Sequence, residues 1–302
     1  MEYVLKTNAL TKRYKGFKAL DGLSLNIPKG AIYGLVGKNG AGKTTLIRLI
    51  CGLQEPTSGD FTLYGIKNTD KNISKSRKRI GAVVETPSLF LDMTAEENMK
   101  YQYKLVGTPD YSTISGLLKL VGLENTGRKK VRNFSLGMKQ RLGIAISLVG
   151  TPDFLILDEP INGLDPQGIV EIRELILKLN QEMGITVLIS SHILDELSKL
   201  ATHYGFIDKG SVVSQISADE LEKRCRKYVK VKVDNLNRLI QYLDSSNIEY
   251  SVVSDDEANV YANLVVSDFV SELSRRSCKV ITMSESDESL ESYFINLVGG
   301  AE

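Results

Sequence analysis

The 302-residue chain carries 38 Lys and Arg against 37 Asp and Glu, and its formal charge of +1 gives no general attraction to DNA or RNA. Apolar residues make up 42% and charged residues 25%, an ordinary globular balance, and the length allows more than one domain. Three widely spaced cysteines, Cys51, Cys225 and Cys278, form no C-x-x-C pair and argue against a disulfide framework or a zinc site.

The first residues, MEYVLKTNALTKRY, lack the apolar core of a signal peptide. No run approaches the ~18 apolar residues of a membrane span, so the chain is not expected to cross a membrane by itself. Val4–Leu10, Leu23–Ile27 and Phe61–Tyr64 read as short strands, bounded by turns at Asp21-Gly22, Pro28-Lys29-Gly30 and Ser58-Gly59-Asp60. Between the second and third, Ile32, Leu35 and Val36 read as a buried strand, and Leu46, Ile47 and Ile50 have helical spacing. The segment joining them, Gly37-Lys38-Asn39-Gly40-Ala41-Gly42-Lys43-Thr44, matches every fixed position of the phosphate-binding loop G-x-x-x-x-G-K-[ST]. Phosphate oxygens are crowded, and side chains at Gly37, Gly40 and Gly42 are expected to block the backbone's approach. The loop's N–H groups and the helix N-terminus supply donors and positive potential. Lys43 can then reach the β- and γ-phosphates of a nucleoside triphosphate, and the Thr44 hydroxyl can ligate Mg²⁺. The alternative is a glycine-rich turn with a solvated lysine. The basic runs Lys75–Arg79 and Arg128–Arg132 have no interleaved aromatics and read as solvated faces, so no nucleic-acid partner is expected.

Helices follow at Thr94–Val106, Ser112–Val121 and Ser135–Val149, the first opened by a capping box of Thr94 and Glu97. Strand Phe154–Leu157, helix Ile169–Gln181, strand Thr186–Ser190 and helix Leu194–Leu200 then restore a βα alternation. The result is an α/β fold, a parallel sheet flanked by helices with a helical insertion in its middle. The strand FLILDE ends in two carboxylates. Asp158 suits an outer-shell contact to Mg²⁺ as the companion of Thr44, and Glu159 can polarise a water for attack on the γ-phosphate. Such pairs also cap helices and sit in loops. A boundary is expected near Ser217–Lys223. Beyond it, strand Tyr228–Val233, helix Leu236–Leu243, strands Tyr250–Ser254 and Val260–Asn263, helix Phe269–Arg275 and strand Lys279–Met283 give a β-α-β-β-α-β order, the ferredoxin-like pattern. A last amphipathic helix is expected at Leu290–Val298.

The phosphate loop, NFSLGMKQRLGIA (Asn133–Ala145), LILDEP and SSH (Ser190–His192), in that order, resemble the nucleotide-binding subunit of ATP-binding cassette (ABC) transporters. The resemblance covers roughly residues 1–216. It implies a P-loop NTPase core with an antiparallel β subdomain and a helical subdomain at about 88–150; the segment 217–302 is read from its own element order as a small α+β accessory domain. The resemblance implies ATP as ligand, with Thr45 and Tyr14 joining the loop residues, Tyr14 by stacking on adenine. It also implies Mg²⁺, held by Thr44, Asp158 and Glu85, the last standing where the family usually has glutamine. Glu159 and His192 become the catalytic pair, and Asn162-Gly-Leu-Asp165 the loop that crosses the dimer interface. Ser135, Leu136 and Gly137 face the nucleotide of the other subunit in a head-to-tail homodimer formed on ATP binding. Ser135 as N-cap and Gly137 as a point of close approach suit that contact. The usual L-S-G-G-Q is altered here, with Phe134, Leu136 and Met138 at the variant positions. Glu85, SLGMKQRLGIA and the ending SLESYFINLVGG resemble the bacitracin-resistance and lantibiotic-immunity exporters. The implied function is a cytoplasmic ATPase subunit, peripheral at the inner face of the cell membrane through a transmembrane permease subunit. A soluble ABC ATPase outside transport, or an ATP-dependent sensing module, is the alternative class.

Overall fold

In the computed structural model, residues 2–108, 110–224, 228–262, 264–286, 293–295 and 297 are described, and the chain divides into two units, Met1–Ala218 and Asp219–Glu302. The first unit opens with β1 (Tyr3–Tyr14), β2 (Phe17–Leu23), β3 (Asn26–Pro28) and β4 (Ile32–Val36). Next come α1 (Lys43–Ile50), β5 (Ser58–Leu63), β6 (Ile66–Lys67), α2 (Ile73–Arg77) and β7 (Ile80–Val83). The helical stretch holds α3 (Ala95–Val106), α4 (Ile114–Leu120) and α5 (Leu136–Ser147). Then β8 (Phe154–Asp158), α6 (Pro166–Gln181), β9 (Thr186–Ser191), α7 (Leu194–Ser198), β10 (His203–Asp208) and β11 (Ser211–Ser217) complete it.

These strands make two sheets. One is antiparallel, with β1 pairing β2, β3 and β5, and β6 added beside β5. The other runs β11-β10-β4-β9-β8-β7, parallel throughout except for β11. β4, β8 and β9 are buried at every residue, as expected of strands covered on both faces. Because β4, β7, β8 and β9 are parallel, their carboxyl ends share one edge, where open α/β sheets bind ligands. The α1 residues Leu46, Ile47, Leu49 and Ile50 join Phe154, Ile156 and Leu188 in the core, which anchors the loop between β4 and α1.

The structure corrects several boundaries. β1 extends to Tyr14, since bulges near Leu10 and Lys12 let one strand pair with β2 after β3 and β5. The strand expected at Leu23–Ile27 is split between the end of β2 and β3. β10 and β11 occupy a stretch to which periodicity assigned no element. Their hairpin turns at Lys209-Gly210, both with positive φ.

In the second unit, α8 (Ala218–Arg224) crosses the division point, followed by β12 (Tyr228–Val233), α9 (Leu236–Ser245), β13 (Tyr250–Ser254), β14 (Glu257–Val260), α10 (Val266–Arg275) and β15 (Val280–Ser286). The sheet order is β13-β14-β12-β15, every pair antiparallel. Val229, Val231 and Val233 alternate inward and pack with Leu239, Leu243, Phe269 and Leu273. Lys230 and Lys232 on the other face pair with Glu257 and Asp256. β14 starts three residues before the expected strand, because Ser254 already opposes Glu257 and closes a two-residue turn. Of the helix expected at Leu290–Val298, all but residues 293–295 and 297 lie outside the described residues.

Candidate active site

The loop after β4 explains two of its three glycines by packing. A Cβ at Gly37 would lie 2.6 Å from the Ile207 carbonyl oxygen, and one at Gly42 2.6 Å from that of Ala19. Gly42 also holds φ +110 as the N-cap of α1. Gly40, with φ +83, has nothing within 4 Å of a built Cβ. Gly37 and Gly42 are thus also required by neighbouring backbone, while Gly40 opens onto free space. Lys38, Asn39 and Gly40 are exposed, whereas Ala41, Gly42 and Lys43 are buried.

Lys43 is 6% exposed, and its Nζ donates to the Gly37 carbonyl oxygen at 2.6 Å and lies 3.2 Å from Glu159 Oε1. Beside it, the Thr44 hydroxyl donates to Asp158 Oδ2 at 2.8 Å, and the Ser190 hydroxyl donates to Asp158 Oδ1 at 2.5 Å. Asp158 is 1% exposed, a buried carboxylate met by two hydroxyls. Thr45 follows in the first turn of α1, half-buried. Glu159 takes a left-handed conformation, φ 50, and its N–H donates to Ser190 Oγ at 3.0 Å. Its other carboxylate oxygen, Oε2, lies 2.8 Å from His192 Nδ1. Lys43, Thr44, Asp158, Glu159 and His192, far apart in sequence, thus form one continuous network. A lysine, a hydroxyl–carboxylate pair and a glutamate held from both sides are the groups that phosphoryl transfer to water requires.

Glu85 has a different partner from Thr44 and Asp158. Its carboxylate is ion-paired with Arg48 of α1, and its backbone is left-handed, φ 60. The loop it begins is keyed to α5, where a Cβ at Gly143 would lie 2.6 Å from Pro87 Cβ. Ser135 is the N-cap of α5, its Oγ accepting from the Met138 N–H at 3.2 Å. Leu136 is 48% exposed. A Cβ at Gly163 would lie 3.3 Å from Leu136 Cδ2, and one at Gly137 3.8 Å from Leu164 Cδ2, so the α5 start and the 162–165 segment interleave within the chain. Asp165 caps α6 by accepting from Gly168 N–H at 2.9 Å. Tyr14, at the end of β1, is 39% exposed, and its hydroxyl donates to Gln54 Oε1 at 2.5 Å.

Sequence reasoning missed Ser190, Arg48 and Gln54. Ser190 was within reach: it belongs to the SSH motif, and it faces Asp158 in the β8–β9 register. Arg48 carries a weaker signal, four residues after Thr44 on the same face of α1. No sequence signal points to Gln54. Cys51, at the end of α1, is a thiol that burial pushes up to about 12, with the Arg77 charge acting to lower it and Asp158 to raise it.

The ABC transporter family matches residues 20–162. The bacitracin transport ATP-binding protein BcrA of Bacillus licheniformis is 42% identical over 99% of both chains. The lantibiotic transport ATP-binding protein SrtF of Streptococcus pyogenes is 45% identical over 72% of this chain and 93% of its own. Among solved structures, the ATP-binding cassette MJ0796, dimeric in a post-hydrolysis state with ADP and Pi, superposes with TM-score 0.63 at 28% identity, covering 71% of this chain and 98% of its own. CbiO1 from Clostridium perfringens, part of an ABC transporter complex, gives TM-score 0.66 at 29% identity over 81% and 96%. With the phosphate loop, the paired carboxylates and the full-length similarity in agreement, the chain belongs to the ABC transporter family, as an ATP-hydrolysing subunit.

Proposed function

We propose that this subunit powers export of a peptide antibiotic of bacitracin or lantibiotic type, or a similar amphiphile, through a separate membrane permease. The observation that carries this reading is the similarity to the bacitracin transport protein over 99% of both chains. Among the described residues no helix is long and apolar enough to cross a membrane, so a spanning path calls for another polypeptide. The groove beside Glu85 suits the permease contact. It holds about 1050 Å³ and is lined by Arg48, Lys78, Leu89, Gln102 and Leu105 among others. Phe90 and Leu91 lie exposed nearby, at 45% and 50%. Such a contact places the subunit at the inner face of the cell membrane.

In the ATPase reading, the N–H groups of Gly37–Thr45 and the Lys43 ammonium hold the phosphates, and Tyr14 stacks on adenine. Lys43 turns from Glu159 to the γ-phosphate. Glu159, kept in place by His192, accepts the proton of the water that attacks γ-phosphorus as the bond to the β–γ bridging oxygen breaks. Mg²⁺ fits the hydroxyl and carboxylate of Thr44 and Asp158, an oxygen donor set suited to a hard cation. Among the described residues no cluster of three His, Cys, Asp or Glu offers a competing site. When bound, the ion neutralises charge on the β- and γ-phosphates. Ser135, Leu136 and Gly137 act on the nucleotide of a second copy in a head-to-tail dimer. The strand order β13-β14-β12-β15 and the β-α-β-β-α-β sequence support a ferredoxin-like accessory domain beyond Ala218.

The test is expression with and without a multi-spanning membrane protein from a neighbouring reading frame, in a sensitive host challenged with bacitracin and with a lantibiotic. Resistance that requires both polypeptides and is lost in Glu159→Gln supports the reading. Resistance independent of the membrane protein, or none to either antibiotic class, rejects it.

A further inference from the structure

Glu85 and Glu159 follow the adjacent parallel strands β7 and β8. Val83 is opposite Leu157, so the two glutamates occupy matching positions two residues on, and both have positive φ. Their carboxylates nevertheless take different partners. Glu159 lies between Lys43 and His192, whereas Glu85 is paired with Arg48. Arg48 follows Thr44 by four residues on α1, on the same face and roughly 6 Å further along the axis. One face of α1 therefore presents a hydroxyl to Asp158 and, a turn later, a guanidinium to Glu85.

We propose that Arg48 is a positioning residue for ATP binding: it neutralises the Glu85 carboxylate and holds it a helical turn from the Thr44–Asp158 pair. The proposal rests on the reading of that pair as the cation holder. A carboxylate free of Arg48 at this edge would add a negative charge near the triphosphate, screened in part by solvent because the Glu85 side chain is 57% exposed. A glutamine at position 85 would need no counter-ion, so the value of Arg48 depends on the glutamate. The core-facing residues of α1 are Leu46, Ile47, Leu49 and Ile50, while the Arg48 side chain is 35% exposed. An ion pair this exposed contributes little to folding, so a change in ATP affinity on breaking it would report on the site and not on the fold.

The experiment is a double-mutant cycle on the full chain, titrating a fluorescent ATP analogue in Mg²⁺ and in EDTA. R48Q is expected to weaken binding about tenfold in Mg²⁺ and more in EDTA, where no metal offsets the phosphate charge. In the E85Q background the same R48Q substitution is expected to change affinity less than about twofold. A loss that persists undiminished in E85Q makes Arg48 a direct phosphate contact and overturns the proposal, as does an unchanged affinity for R48Q. Arg48→Met, which keeps the apolar stem, runs the same cycle should R48Q fold poorly. The underlying reading is tested apart from this by Asp158→Asn: if Mg²⁺ still strengthens binding as in the wild type, the cation placement fails whatever the cycle gives.

Discussion

Lys43 Nζ lies 3.2 Å from Glu159 Oε1 while His192 Nδ1 lies 2.8 Å from Glu159 Oε2. The glutamate is thus oriented from both sides. In the proposed reaction Lys43 would exchange this anionic partner for the γ-phosphate when ATP binds.

Glu159→Gln is therefore expected to separate binding from turnover. Loss of the general base lowers hydrolysis by about 10²–10⁴-fold. Nucleotide affinity holds or rises, because Lys43 no longer has a competing carboxylate. Phosphate release and nucleotide titration measure the two; hydrolysis within threefold of wild type removes Glu159 from the role.

Ser135→Arg places a long cation at the start of α5. Single-site ATP binding is expected to persist and ATP-induced dimerisation to fail, read by light scattering in the Glu159→Gln background. Replacing the N-cap also costs about 1 kcal/mol of stability. A dimer of undiminished stability would show that this helix does not face a second nucleotide.

Gly143→Ala drives a methyl group to 2.6 Å from Pro87 Cβ. Overpacking of this kind costs about 1–3 kcal/mol. Thermal unfolding should show the loss, and Pro87→Gly in the same chain should recover part of it. No recovery would mean that the strain lies elsewhere.

At pH 8 the Cys51 thiol should be nearly inert. With its pKa pushed up to about 12 from the ordinary 9.0, roughly a thousandfold less thiolate is present than at an ordinary cysteine. Alkylation should speed up as pH rises toward 12 and on unfolding in denaturant at fixed pH. Rapid labelling of Cys51 in the native chain at pH 8, located by peptide mapping, would contradict the burial.

A chain ending at Ala218 is expected to stay soluble and to bind ATP, since the second unit builds its core from its own residues, Val231, Leu239 and Phe269 among them. Aggregation or loss of nucleotide affinity would make the second unit part of the ATPase fold.

Much of the site was legible because its chemistry demands particular residues at short range. The phosphate loop, Asp158 and Glu159 each sit next to a buried strand whose apolar run reveals it. The partners were harder to find. Arg48 and Ser190 reach Glu85 and Asp158 across the fold, over 37 and 32 residues, and only the β7–β8–β9 register and the orientation of α1 bring them together. β10 and β11 escaped for a related reason. Their residues alternate weakly, and β11 is an edge strand, so its pairing depends on β10 being placed first by β4. Gly37 and Gly42 were recognised, but the need for them was assigned to the ligand alone, because the approach of Ile207 and Ala19 is not visible in sequence.

The contact of Pro87 with Gly143 gives α5 a fulcrum. Ser135 lies eight residues before Gly143, roughly 12 Å along the helix axis. A tilt of about 5° about that point carries Ser135 through about 1 Å, enough displacement to change a phosphate contact by orders of magnitude in rate. A push too small to deform either element, delivered to the 85–89 loop, would thus be enlarged at the far end of the lever.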